Sequence, residues 1–202
     1  LVATIESLGL ADDTVIILLA DHGDMLGERG LWYKMSFFEG SARIPLVVHA
    51  PARWCARRVS KPVSLVDVLP TIIELSGGTV VDAVEPLAGR SLLPLCAGAT
   101  EDRTVIGEYA AEGAGAPVVM LRRGALKFVH CPIDPDQLYD LSTDPGERVN
   151  LAGHAAWAAT VAEFRNEVTQ RWNLARFHAD VLQDQARRRF VMAALRKGSY
   201  TP

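Results

Sequence analysis

The sequence predicts an α/β protein: the edge of a mixed sheet, followed by a small antiparallel sheet packed by a long C-terminal helix. Two runs, the β-branched and aliphatic residues 14–20 and PLVVH at 45–49, have strand length and no polar alternation, which suits strands covered on both faces. Four short β-rich stretches at 104–109, 117–122, 125–129 and 137–140 lie close enough in sequence to pair antiparallel. From residue 154 the period changes, and Trp157, Val161, Phe164, Val168 and Trp172 recur every three or four positions.

Taken in order, residues 1–8 place Val2, Ile5 and Leu8 on one helical face, with Gly9 as the stop. Asp12 and Asp13 make a turn before the first strand at 14–20, which is expected to lie in a parallel sheet. A loop punctuated by Gly23, Gly27 and Gly30 follows, then a short helix around residues 36–40 and the second buried strand at 45–49. Ser64 is placed to cap a helix carrying Leu65, Val68, Leu69, Ile72, Ile73 and Leu75, closed by Gly77 and Gly78. Residues 79–103 read as a surface connection rich in Pro and Gly. Beyond the four-strand region and the Trp157 helix, a second helix over 181–198 ends at Gly198. The boundaries that result are 1–103 for an α/β catalytic portion, 104–178 for a sheet-and-helix subdomain, and 179–202 for a terminal helical arm.

Composition narrows the partners. Of 202 residues, 21 are basic and 24 acidic, so the net charge of −3 argues against nucleic acid or an anionic membrane as partner. No apolar run reaches the roughly 18 residues of a membrane-spanning helix. The three cysteines, Cys55, Cys96 and Cys131, are an odd number with no C-x-x-C pair, which points to reduced thiols and a cytoplasmic setting. The chain starts with Leu rather than Met, and residues 1–14 read like the end of a helix running into a loop. It is therefore expected to be the C-terminal portion of a longer protein.

Chemistry concentrates after the first strand. Ligands of open α/β sheets bind beyond the carboxyl ends of strands, and Asp21 and His22 stand there. One hard oxygen and one imidazole nitrogen can anchor a divalent cation but cannot complete its coordination. The alternative is that Asp21 caps a turn and His22 packs on its neighbours. Lys34 follows Asp21 by thirteen residues, flanked by Trp32, Tyr33, Phe37 and Phe38. An aromatic setting would hold it rigidly against an anionic oxygen, away from solvent; otherwise it is a lysine with its stem on an apolar surface.

The segments DHGDMLGERGLWYK and FFEGSARIPLVVHAP, with VSLVDVLPTIIELSG and LYDLSTDPGERVNLA downstream, resemble the sulfatase branch of the alkaline phosphatase superfamily. GEYAAEGAGAPVVMLRRGALKFVHCPIDPDQLYDL and QARRRFVMAALRKG are similar to the choline sulfatases. The resemblance implies an alkaline-phosphatase-like fold and hydrolysis of choline-O-sulfate to choline and sulfate. It also implies that Asp21 and His22 bind a divalent metal (calcium, manganese or magnesium) and that Lys34 is the catalytic lysine on the sulfate oxygens. Glu108 and Glu112 are the acidic candidates for the choline ammonium, whose other need is aromatic faces. The family nucleophile is a formylglycine made from the Cys of C-x-P-x-R, and none of the three cysteines has that context. It is expected upstream of Leu1, so the chain alone should be inactive. The terminal arm is similar to one associated with subunit contacts, which implies a homo-oligomer. A phosphonate monoester or phosphodiester hydrolase of the same superfamily, and a catalytically silent oligomerisation piece, are the competing readings.

Overall fold

The computed structural model describes residues 1–79 and 85–198. Residues 80–84, inside the connection expected at 79–103, and the last four residues of the expected arm lie outside the described residues. The chain divides into two compact units, Leu1–Ile106 with Arg122–Leu126, and Gly107–Leu121 with Lys127–Pro202.

The first unit opens with helix α1 (Val2–Ser7) and a 3-10 turn at Ala11–Asp13. Strand β1 (Ile16–Leu19) then pairs with β4 (Leu46–His49), Ile16 opposite His49 and Leu19 opposite Leu46. That pairing is antiparallel, which corrects the expectation of a parallel sheet. An unbroken aliphatic run reports burial on two faces, not strand direction, and no helical crossover joins these two strands. Nor is the run enclosed: Leu18 is 60% exposed and Val47 51%.

Between β1 and β4 the glycine loop folds into a two-residue-per-strand hairpin, β2 (Met25–Leu26) against β3 (Trp32–Tyr33), Met25 opposite Tyr33. The one-turn helix α2 (Glu39–Ala42) begins about three residues later than the sequence suggested. Ser64 caps the next segment as expected, through a capping box closed by Asp67, and a 3-10 turn (Leu65–Asp67) leads into α3 (Val68–Leu75). Asp67 does more than cap. Its buried carboxylate accepts from the Ser64 N–H at 2.7 Å, the Arg90 N–H at 2.9 Å and the Arg103 guanidinium at 2.7 Å. A single side chain thereby fastens the start of α3 to the connection after it. Within that connection lies a further short helix, α4 (Leu93–Cys96).

The four closely spaced strands form one sheet in chain order, β5 (Thr104–Tyr109), β6 (Val118–Arg123), β7 (Leu126–Cys131) and β8 (Asp134–Asp140). The two-residue links after β6 and β7 are short enough only for antiparallel neighbours. Helix α5 (Ala158–Arg171) seals the second unit's core by the stripe read from the sequence: Val161, Phe164 and Val168 are buried. The Phe164 ring lies on Phe128 of β7 with centroids 5.3 Å apart. Helix α6 (Leu174–Lys197) starts seven residues earlier than expected, where the Asn173 side chain caps it by accepting from the Arg176 N–H at 3.0 Å. No α6 residue is buried, and none of the helices described is long and apolar enough to cross a membrane.

Candidate active site

Strand β1 ends at Leu19, and the chain leaves the sheet through Asp21, His22 and Gly23. The turn is held from behind. The Gly23 N–H donates to the Ser41 carbonyl at 2.8 Å, and a Cβ at Gly23 would stand 2.2 Å from the Gly40 carbonyl oxygen. Only glycine allows that approach.

The His22 ring has a defined tautomer. Its Nδ1 lies 2.8 Å from the Gly23 carbonyl oxygen, which can only accept, so Nδ1 carries the proton and Nε2 of the neutral ring keeps a lone pair. That Nε2 lies 3.4 Å from Asp21 Oδ2 and 3.0 Å from Lys34 Nζ, whose ammonium donates to it. The three residues singled out in the sequence therefore meet at one imidazole nitrogen.

The surroundings of Lys34 differ from expectation. Trp32 and Tyr33 are themselves exposed, as is Lys34, so aromatic neighbours do not shield the ammonium from water. Residues of so short a strand as β3 have no sheet face to be covered by. Position comes instead from the backbone of the loop. Tyr33 adopts φ +68° and Arg29 φ +59°, a region side chains rarely occupy, and the Arg29 guanidinium sits 4.2 Å over the centre of the Phe38 ring. Glu28 ties the hairpin by accepting from the Leu26 N–H at 2.7 Å, and that bond, with one from its own N–H, holds its carboxyl below the ordinary 4.5.

Asp21 and His22 are a chemically suitable start for a metal site. Two donors each about 2.1 Å from one ion stand roughly 3.0–3.4 Å apart when they are neighbours in its shell. The separation of 3.4 Å between Asp21 Oδ2 and His22 Nε2 falls there, and the backbone-fixed tautomer leaves the ligating nitrogen unprotonated. Among the described residues no group of three His, Cys, Asp or Glu could hold a metal ion, so the pair needs ligands from elsewhere.

Glu108 and Glu112 belong to the second unit. The Glu108 carboxylate accepts from the Trp172 indole N–H at 2.5 Å. The exposed Glu112 accepts the Tyr109 hydroxyl on its carbonyl at 2.6 Å; burial first, then the Glu112 charge, raises that phenol's pKa. Two further polar features carry no sequence signal of function: His130 Nδ1 lies 2.6 Å from the buried Asp136, and Arg43 makes no ion pair among the described residues.

The sequence model of the Sulfatase family matches residues 1–78. Among curated proteins, the choline-sulfatase of Rhizobium meliloti is 43% identical over all of this chain, which spans 40% of that protein. Arylsulfatase K of Gallus gallus is 34% identical over 75% of the chain and 30% of its own length. Among solved structures, a 2-O GAG sulfatase superposes with a TM-score of 0.71 at 27% identity, over 84% of this chain and 39% of that one. The phosphonate monoester hydrolase of Agrobacterium radiobacter superposes with a TM-score of 0.67 at 27% identity, over 87% of this chain and 38% of that one. The chain thus spans about two fifths or less of each of these relatives.

Proposed function

The chain belongs to the sulfatase family through residues 1–78, and on that premise we propose that it supplies one side of the active site of a choline-O-sulfate hydrolase. Its fold is of the alkaline-phosphatase-like sulfatase type. The observation that carries the proposal is the meeting of Asp21, His22 and Lys34 at His22 Nε2, in a chain 43% identical to a choline-sulfatase.

In this reading each of the chain's own groups has a task. Asp21 and His22 hold a divalent metal, calcium, manganese or magnesium, with the Gly23 carbonyl keeping the His22 proton on Nδ1. The metal, when bound, supplies a Lewis acid to the sulfate oxygens. Lys34, whose ammonium gives up the His22 Nε2 lone pair when that nitrogen serves as a metal ligand, places its positive charge against the same oxygens and lowers the cost of charge developing there. Glu108 and Glu112 are the carboxylates offered to the choline ammonium, Glu108 oriented by the Trp172 indole. The nucleophile, a formylglycine, and the remaining ligands come from outside this chain, which alone does not turn over sulfate esters. We assign the complete enzyme to the cytoplasm, in keeping with three unbonded cysteines, and to a homo-oligomer in which α6, with Phe190, Val191, Met192 and Leu195 exposed, meets another subunit.

A chimera tests the activity: this chain replaces the matching segment of the Rhizobium choline-sulfatase, and hydrolysis of choline-O-sulfate is followed. The chimera should turn over, and Asp21→Ala and Lys34→Ala should each lower kcat/KM by about a hundredfold or more, the range seen when a transition-state charge partner is removed. Turnover that survives Asp21→Ala or removal of metal would refute the assignment. The likeness to a phosphonate monoester hydrolase supports one other reading. A chimera that cleaves an aryl phosphodiester in preference to choline-O-sulfate would establish that one instead.

A further inference from the structure

Ser41 lies where the two arms of the candidate site meet. It is 2% exposed although it sits on a one-turn helix at the surface of the loop region. A hydroxyl that far from water needs partners. Ser41 Oγ donates to the Ser36 carbonyl at 2.5 Å, with the Lys34 carbonyl at 3.3 Å as a second acceptor, and the Ser36 hydroxyl lies 3.2 Å away. The Lys34 carbonyl is also met by the Ser36 N–H at 2.9 Å, so it closes a tight turn directly after Lys34. On its main-chain side, Ser41 donates its N–H to the Phe38 carbonyl at 2.9 Å and accepts the Gly23 N–H at 2.8 Å. One buried residue thus holds the backbone following His22 with its carbonyl and the backbone of Lys34 with its hydroxyl.

We propose that Ser41 is a positioning residue that sets the spacing of Lys34 from His22. Both site residues are exposed or half-exposed and lie on a loop with two non-glycine residues in the left-handed region, so neither is held by core packing. Lys34 and His22 are twelve residues apart, and Ser41 is bonded to the backbone beside both. Loss of the hydroxyl frees the turn at Lys34 and Ser36 while the Gly23 to Ser41 bond stays. The expected result is a displaced Lys34 ammonium beside an unmoved imidazole. The functional meaning rests on reading Asp21, His22 and Lys34 as one site, but the geometric part needs neither metal nor substrate.

The test is NMR of the chain labelled with nitrogen-15 in its histidines, at a pH well above the imidazole range. Lys34→Met defines the His22 Nε2 resonance without the ammonium. In Ser41→Ala, that resonance should move at least half of the way to the Lys34→Met position, while His49 of β4, in the same unit, keeps its own. A His22 resonance that stays at the wild-type position in Ser41→Ala overturns the proposal, and so does a Lys34→Met variant that leaves it unmoved. If Ser41→Ala loses the folded His49 signal, Ser36→Ala is read in its place. It should move His22 in the same direction by a smaller amount, and no movement overturns the proposal. Failure of the choline-sulfatase reading would appear separately, as a chimera without hydrolysis whose His22 resonances still respond to Ser41.

Discussion

The carboxylate of Glu28 is fully exposed yet bonded to the Leu26 N–H and to its own N–H, and both bonds favour its charged form. Its folded pKa therefore lies below the ordinary 4.5, and the bonded hairpin gains nothing from it once it is protonated. With a depressed folded value the contribution is fully present above 4.5 and is lost as pH falls through the lower folded value. A carbon-13 titration of Glu28 should show a midpoint below 4.5, and the protection of the Leu26 amide relative to its intrinsic exchange rate should fall over the same acid range. A midpoint at or above 4.5 would remove Glu28 from the loop's supports. At this scale the sequence was informative wherever a residue type announces its chemistry. Asp21, His22 and Lys34 stood out by type and spacing after an aliphatic run, and the chain does bring them together. Ser41 had no such mark. A serine after Glu-Gly reads as solvent-facing, and its position comes from main-chain bonds to residues five to eighteen positions away.

Among the elements, α3 shows how a cap becomes a tertiary anchor. Ser64 was legible as an N-cap, but the residue that organises the segment is Asp67, whose partners Arg90 and Arg103 lie 23 and 36 positions on. Arg103 and Asp67 are both largely buried, so cutting the carboxylate away strands a guanidinium and two N–H groups. Asp67→Ala should cost about 3–5 kcal/mol, the range for breaking a buried pair from one side. Urea denaturation of the first unit's signal gives the number, and a loss under about 1 kcal/mol would show the carboxylate to be replaceable by water. The elements read best were those with a period and a length, α5 with its stripe and the four strands β5 to β8. The hairpin β2–β3 escaped because two residues per strand cannot display alternation, whereas α6 was read short although Leu174, Phe177 and Val181 stand at helical spacing behind Asn173, a capping residue type.

For the molecule as a whole, the exposed apolar surface of β1 and β4 governs how the chain behaves in solution. An all-aliphatic strand is selected for burial on two faces, yet Leu18, Leu19 and Val47 are exposed on a sheet of only two strands. Val66, Leu69 and Ile72, on and just before α3, are also exposed in the same unit. Such surface, with a free strand edge, pairs with whatever complementary apolar edge is available. The curated relatives reported above are about two and a half times as long as this chain or longer; under the proposed function, a partner covering this sheet would also be placed to add metal ligands, since no group of three His, Cys, Asp or Glu among the described residues could hold an ion. The chain on its own should therefore self-associate, with the sedimentation coefficient rising over micromolar concentrations. Leu18→Lys with Val47→Lys should return it to monomer, because two cations on one small sheet repel a second copy. If the unmodified chain instead sediments as a monomer at every concentration, the sheet face needs no partner, and the view of β1 as an interior strand of a larger assembly falls with it.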